Sequence, residues 1–221
     1  FILYIFDYNN TLLNNFLDNL NVVGSCVDLH KYYDFKKNHT NGLALFNHTS
    51  YLDGIILAKE LQEPLSFVCL KTGLFSFAYD IAKKWKCLII EPNQNNTKAI
   101  TQSVLNRNKN DPLLLIAPNG ANLEQKDKYN LCNFHTGAFV SLSPILPILI
   151  NYSPHTYTKD SEHMFESFIN LLNCKKLYYK VQVFDPIYPT KNDTIESFKN
   201  RVYKIMNINK KKIIVDKIYS Q

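Results

Sequence analysis

The stretch Gly42-Leu43-Ala44-Leu45-Phe46-Asn47-His48-Thr49-Ser50-Tyr51-Leu52-Asp53-Gly54 decides how the chain is read. Its first five residues carry no polar side chain and have the character of a short, fully buried strand. The apolar residues Ile55, Ile56 and Leu57 then open a helical pattern that the spacing predicts over 51–62, stopping near Pro64. A buried strand that hands over to a helix is the start of a parallel crossover unit. Open α/β sheets place their sites in the loop at the C-terminal end of such a strand, and here that loop carries Asn47 and His48.

His48 and Asp53 lie five positions apart. Residues five apart on one helix do not share a face, so His48 belongs to the turn and Asp53 to the first helical turn, with the carboxylate folded back under the ring. An imidazole takes up a proton near neutral pH, and a neighbouring carboxylate fixes its tautomer and stabilises the imidazolium. Such a pair needs no serine or cysteine nucleophile, because the base acts directly on a hydroxyl of a bound acceptor. The same residues admit a plainer reading. Ser50 and Asp53 have the spacing of a capping box, with Asp in place of Glu or Gln, and on that reading Asp53 only starts a helix.

Outward from this stretch, apolar runs alternate with helical patterns. Strands are expected at 65–70, 85–90 and 113–117, at 143–150, where Pro144 and Pro147 suggest an edge, a bulge or a strand beginning, and at 177–184. Helices are expected at 71–84, 97–106 and 161–173, and from Thr194 to about Met206, followed by Lys210-Lys211-Lys212 as a solvated helix end or a contact for anionic lipid. The alternation predicts an α/β fold: a single domain with a mostly parallel, mixed sheet flanked by helices. Residues 1–41 read as an N-terminal amphipathic or helical segment, with a polar turn at 36–41, and 42–221 as the main domain without a firm internal boundary.

Composition narrows the class. With 46% hydrophobic and 20% charged residues the chain is globular, and 221 residues suffice for one sizeable core. A net charge of +6 favours anionic partners such as nucleotide phosphates or acidic lipid surfaces. Nucleic acid is not expected, since no binding motif or arginine-rich stripe accompanies that charge. The five cysteines form no CxxC pair and read as reduced thiols of a protein on the cytosolic side. A sequon overlaps the site at Asn47-His48-Thr49, and glycosylation there would block it, which points to the same side. No apolar run reaches the roughly 18 residues that span a bilayer, and the chain opens at Phe1, so a membrane anchor upstream is an expectation of its own. His135, His155 and His163 lack ligand spacing, and no metal is expected.

Several motifs in order resemble the glycerolipid and lysophospholipid acyltransferase family. They are Asn47-His48 with Asp53, Lys71-Thr72-Gly73-Leu74, the strand ending Leu88-Ile89-Ile90-Glu91, Ala117-Pro118-Asn119-Gly120, Phe134 with Gly137-Ala138-Phe139, and Pro144-Ile145-Leu146-Pro147-Ile148. The resemblance spans about residues 42 to 188. It implies transfer of a fatty acyl group from acyl-CoA, or another acyl thioester, to a hydroxyl of a lipid acceptor at a membrane surface. Acyl-CoA is then a co-substrate, and no cofactor is implied. His48 is implied as general base and Asp53 as the residue that orients it, with Lys71, Pro118, Asn119, Gly120 and Pro147 in contact with substrate. Backbone amides around Gly120 are candidate donors to the oxyanion.

Two positions depart from the family pattern. Asn119 stands where the family usually has glutamate, and Glu91-Pro92 stands where its strand usually ends in arginine. A guanidinium forks two phosphate oxygens and proline cannot, so the departures point to a head-grouped lysophospholipid or a neutral glycerolipid as acceptor, or to a lysine such as Lys71, Lys84 or Lys86 in place of the arginine. They also motivate an alternative, a catalytically silent lipid-binding protein on the same scaffold.

Overall fold

A computed structural model of the chain describes residues 10–39, 42–50, 52–63, 65–70, 82–90, 96–106, 111–120, 130–153, 169, 172–173 and 175–218. The helix expected over 71–84 falls mostly outside these residues, as do Glu91, Pro92 and nearly all of the helix expected over 161–173.

In chain order the elements are α1 (Asn10–Asn19), β1 (Val22–Val27), α2 (Leu29–Asn38), β2 (Leu43–Phe46), α3 (Asp53–Leu61), β3 (Ser66–Leu70), β4 (Leu88–Ile90), α4 (Asn96–Leu105), β5 (Leu114–Ile116), a short 3-10 helix (Thr136–Phe139), β6 (Ile145–Ser153), β7 (Leu177–Val183) and α5 (Ile195–Ile218). The strands form one seven-stranded sheet in the order β1-β7-β6-β2-β5-β3-β4. Strands β4, β3, β5, β2 and β6 run parallel, β7 is antiparallel to β6, and β1 is parallel to β7.

The sheet is covered on both faces, which is why its central strands read as unbroken apolar runs. On one face Ala44 and Phe46 of β2, Leu115 of β5, and Leu146, Ile148, Ile150 and Tyr152 of β6 pack with Leu17 of α1, Tyr32 and Phe35 of α2, and Ile56, Leu57 and Leu61 of α3. On the other, Leu43, Leu45, Leu114, Ile116, Ile145 and Leu149 pack with Val104 of α4, Ala138 and Phe139 of the 3-10 helix, and Phe198, Val202 and Met206 of α5. The period-two alternation along β2 and β6 thus sorts side chains between two cores.

The chain after β2 passes to the first face as α3, whereas the chain after β5 reaches the second as the 3-10 helix. Because β2 and β5 are neighbours, their C-terminal ends border a crevice at a topological switch point.

Four expectations need correction. Within the segment read as loosely helical, 22–27 is a strand parallel to β7 at the sheet edge. Gly24 lies there because a Cβ would stand 2.2 Å from the Tyr179 carbonyl oxygen, and its small, mixed neighbours hide the strand pattern. The expected polar turn over 36–41 is largely the last turn of α2, which continues to Asn38.

Pro147, expected at an edge, a bulge or a strand beginning, lies within β6, between β2 and β7, opposite Leu45. The Phe184 amide donates to the Pro147 carbonyl just past the end of β7, and the missing N–H falls in the gap between the β6–β7 ladder, which starts at Ile148, and the isolated antiparallel bridge of Ile145 with Ile187. Pro144 does sit at the strand beginning, where its carbonyl accepts from the Leu43 amide.

The final helix also runs beyond Met206, and Lys210 is buried in it, donating to the Asn130 carbonyl at 3.2 Å, while Lys211 and Lys212 are exposed. Among the described residues, no helix is long and apolar enough to cross a membrane.

Candidate active site

Beyond Phe46 the chain leaves β2 and turns under itself before α3. Asn47 points inward, its buried amide bonded to the backbone of Ile150 on β6. The His48 ring stands edge-on to Phe46 at a centroid distance of 6.1 Å.

Asp53 opens α3 and is fully buried. Its Oδ2 accepts from His48 Nδ1 at 2.8 Å, from the Thr49 amide at 2.7 Å and from the Ser50 amide at 3.0 Å. Its Oδ1 accepts from the Tyr152 hydroxyl at 2.5 Å. The cap read from sequence is met only in part: Leu52 precedes α3 without a side-chain cap bond, and Asp53 instead ties back the Thr49 and Ser50 amides of the turn beside the imidazole. The reach-back to the Ser50 amide is half of a capping box, and Ser50 Oγ accepts from the Leu52 amide at 3.0 Å, two residues on rather than three. A buried carboxylate is tolerated because donors surround it.

A carboxylate only accepts, so Nδ1 carries the proton and Nε2 is the basic nitrogen. The exposures fit that division: 27% for the His48 side chain against 1% for that of Asp53. The imidazole thus has Nδ1 held by a buried carboxylate on a ring that is itself part-exposed.

Across the switch point, Ala117-Pro118-Asn119-Gly120 forms a tight turn after β5, closed by the Gly120 amide donating to the Ala117 carbonyl at 3.0 Å. Gly120 has φ 79°, in the left-handed region that favours glycine, and His135 Nε2 would stand 3.3 Å from a Cβ built there. The His135 amide donates to the Pro118 carbonyl at 2.7 Å, which fastens the segment before the 3-10 helix to this turn. Since the Gly120 amide closes the turn, it is already engaged. Asn119 is buried and its Oδ1 has no hydrogen-bond partner among the described residues; the same is true of Thr49 Oγ1.

Of the residues singled out from sequence, His48 and Asp53 are brought into contact, and Pro118, Asn119 and Gly120 occupy the loop of the neighbouring strand. Pro147 lies one strand over, inside the sheet rather than in a loop. Lys71 lies outside the described residues. Sequence reasoning missed Tyr152, whose only sequence signal is its place on the apolar face of β6, and gave Asn47 no role. Among the described residues no three His, Cys, Asp or Glu side chains are grouped to hold a metal.

Comparison with known proteins places this geometry in context. The fold is similar to that of the 1-acyl-sn-glycerophosphate (LPA) acyltransferase PlsC from Thermotoga maritima, with a TM-score of 0.66 over 95% of this chain and 78% of that one at 10% sequence identity. No curated protein matches the sequence. Residues 27–151 match the Acyltransferase family model. That match spans more than half of the sequence, including the His48–Asp53 pair and the Pro118–Gly120 turn, and the chain belongs to the acyltransferase family.

Proposed function

We propose that the protein moves a fatty acyl group from acyl-CoA, or another acyl thioester, to a hydroxyl of a lysophospholipid or related glycerolipid, with His48 as general base. The observation that carries this reading is the division of labour on one imidazole, with Nδ1 held by buried Asp53 and Nε2 left as the basic nitrogen of a part-exposed ring. The acceptor hydroxyl gives its proton to Nε2 as its oxygen attacks the thioester carbonyl. Asp53 stabilises the imidazolium that forms, and collapse of the tetrahedral intermediate expels the thiolate, which takes the proton back from His48. Two substrates meet at the base, so no acyl-enzyme is required.

The lipid class rests on the fold shared with an acyltransferase that acts on 1-acyl-sn-glycerophosphate. Asn119 supports an acceptor richer in hydroxyl donors than in phosphate charge, because its buried Oδ1, unpartnered among the described residues, is a neutral hydrogen-bond acceptor. A membrane surface is the natural source of such a substrate.

The test offers radiolabelled acyl-CoA with lysophosphatidic acid, glycerol 3-phosphate, head-grouped lysophospholipids, and mono- and diacylglycerol, comparing the protein with His48→Ala. Product with one acceptor class that disappears in the variant supports the reading. Binding of these lipids without acylation above the level of the variant overturns it in favour of a silent lipid-binding protein.

A further inference from the structure

The carboxylate that orients His48 is supported from two sides, and only one of them belongs to its own loop. Oδ2 faces His48 and the Thr49 and Ser50 amides. Oδ1 faces away, toward β6, where the buried Tyr152 hydroxyl meets it at 2.5 Å. We infer that Tyr152 is a positioning residue for the acyl transfer, acting through Asp53 to hold its carboxylate fixed toward His48.

Without the phenol, Oδ1 would face β6 with no hydroxyl donor. An anionic oxygen removed from water and left without a donor binds a proton more tightly, and the carboxyl then either neutralises or swings to another partner. A neutral Asp53 orients the imidazole poorly and gives no charge to stabilise the imidazolium. The backbone amides cannot substitute, because both are engaged with Oδ2. Tyr152 can supply the donor because it follows Ile148 and Ile150 on the same face of β6, and Asn47 ties the end of β2 to β6 at Ile150.

Other charged groups on the packed elements are engaged elsewhere. Lys59 and Glu60, further along α3, hydrogen-bond the Tyr179 hydroxyl of β7, and Glu63 beyond α3 is met by Tyr32 and Lys36 of α2. Cys26 of β1, its thiol pushed up to about 12 by burial and by Glu60 and Asp28, belongs to that outer group. The titratable partners facing Asp53 among the described residues are His48 and Tyr152.

The proposal rests on His48 as base, and the experiment separates the two. Tyr152→Phe removes one hydroxyl and keeps the ring. The expected result is a fall in kcat of about 10- to 100-fold at nearly unchanged KM, partly recovered at higher pH as the acidic limb of the rate profile moves up. In the double variant with Asp53→Asn, Tyr152→Phe should cause no further loss. The His48 Nδ1–H resonance, read without substrate, should shift and exchange faster with water. Wild-type kcat and pH profile in Tyr152→Phe, with His48→Ala inactive, overturn the role of Tyr152 alone. Full activity in His48→Ala overturns the base reading itself. Should Tyr152→Phe fold poorly, the resonance measured on its folded fraction decides: an unchanged position and exchange rate refute the proposal.

Discussion

The Asn47 side chain acts as one more rung of the β2–β6 ladder, its Nδ2 donating to the Ile150 carbonyl at 2.8 Å and its Oδ1 accepting from the Ile150 amide at 2.7 Å. β2 ends at Phe46, so this two-way bond holds the chain against the sheet at the residue before His48. Asn47→Ala leaves both Ile150 groups buried and unpaired. A loss of about 2–3 kcal/mol in chemical denaturation is expected, with kcat reduced at temperatures where the fold persists, because His48 loses its anchored neighbour. Asn47→Asp should do no better, since a carboxylate cannot donate to the carbonyl and introduces a buried charge.

Gly120 makes a second test of the loop geometry. Its φ of 79° is costly for any residue with a Cβ, and His135 crowds the place where that Cβ would go. Gly120→Ala should lower stability by about 1–2 kcal/mol and reduce acyl transfer by more than the loss of folded protein explains, because the turn follows β5, the parallel neighbour of the strand that leads to His48. A thermal melt alongside initial rates separates the two effects, and wild-type values in both would show that the turn adapts without consequence.

Much of the sheet was legible because its central strands are short apolar runs ended by turn residues, as at Leu43–Phe46 and Leu114–Ile116. The pairing of His48 with Asp53 was legible for a local reason, since five residues and one helix start fix the distance. What escaped was non-local. Tyr152 reaches Asp53 across 99 positions of sequence, and nothing in Ile-Leu-Ile-Asn-Tyr distinguishes a tyrosine that supports a carboxylate from one that fills a core. β1 escaped because Val-Val-Gly-Ser-Cys-Val has no clean alternation and Gly24 is set by the ring of Tyr179, a residue far along the chain.

The start of α5 offers a pH test away from the site. Thr194 and Ser197 exchange hydrogen bonds as a capping box, and Asp193 accepts from the Thr190 amide, the Thr190 and Ser197 hydroxyls and Arg201. The Thr190 amide is the main cause that holds the Asp193 carboxyl down at about 2; the Thr190, Arg201 and Ser197 side chains add to it, against a smaller opposing effect of burial. A depressed carboxyl favours the folded state above its ordinary value of 3.8, and that contribution is lost as pH falls from there toward 2. Carbon-detected NMR should place its midpoint near 2 in the wild type, and Asp193→Asn should remove this part of the acid sensitivity. A midpoint near the ordinary value would show that the network does not persist in solution.

Asp53→Asn tests the centre of the site by changing one atom. Four donors converge on the carboxylate, three on Oδ2 and one on Oδ1. An amide has one acceptor oxygen, so no rotamer satisfies them all. With the oxygen toward His48 and the loop amides, the NH2 group confronts the Tyr152 hydroxyl, which can turn to accept, and the negative charge is gone. With the amide reversed, the NH2 group faces Nδ1 and forces the imidazole into the tautomer that protonates Nε2, which abolishes the base. Both outcomes predict a fall in kcat of roughly 10²–10⁴-fold with a smaller change in KM, since substrate binding does not use Asp53. Stability should fall by about 1–3 kcal/mol, because the turn before α3 loses the carboxylate that its Thr49 and Ser50 amides bind. Steady-state rates read against the folded fraction at each temperature check both halves. Loss of stability with a normal kcat would leave Asp53 as a structural tie for the turn before α3 alone.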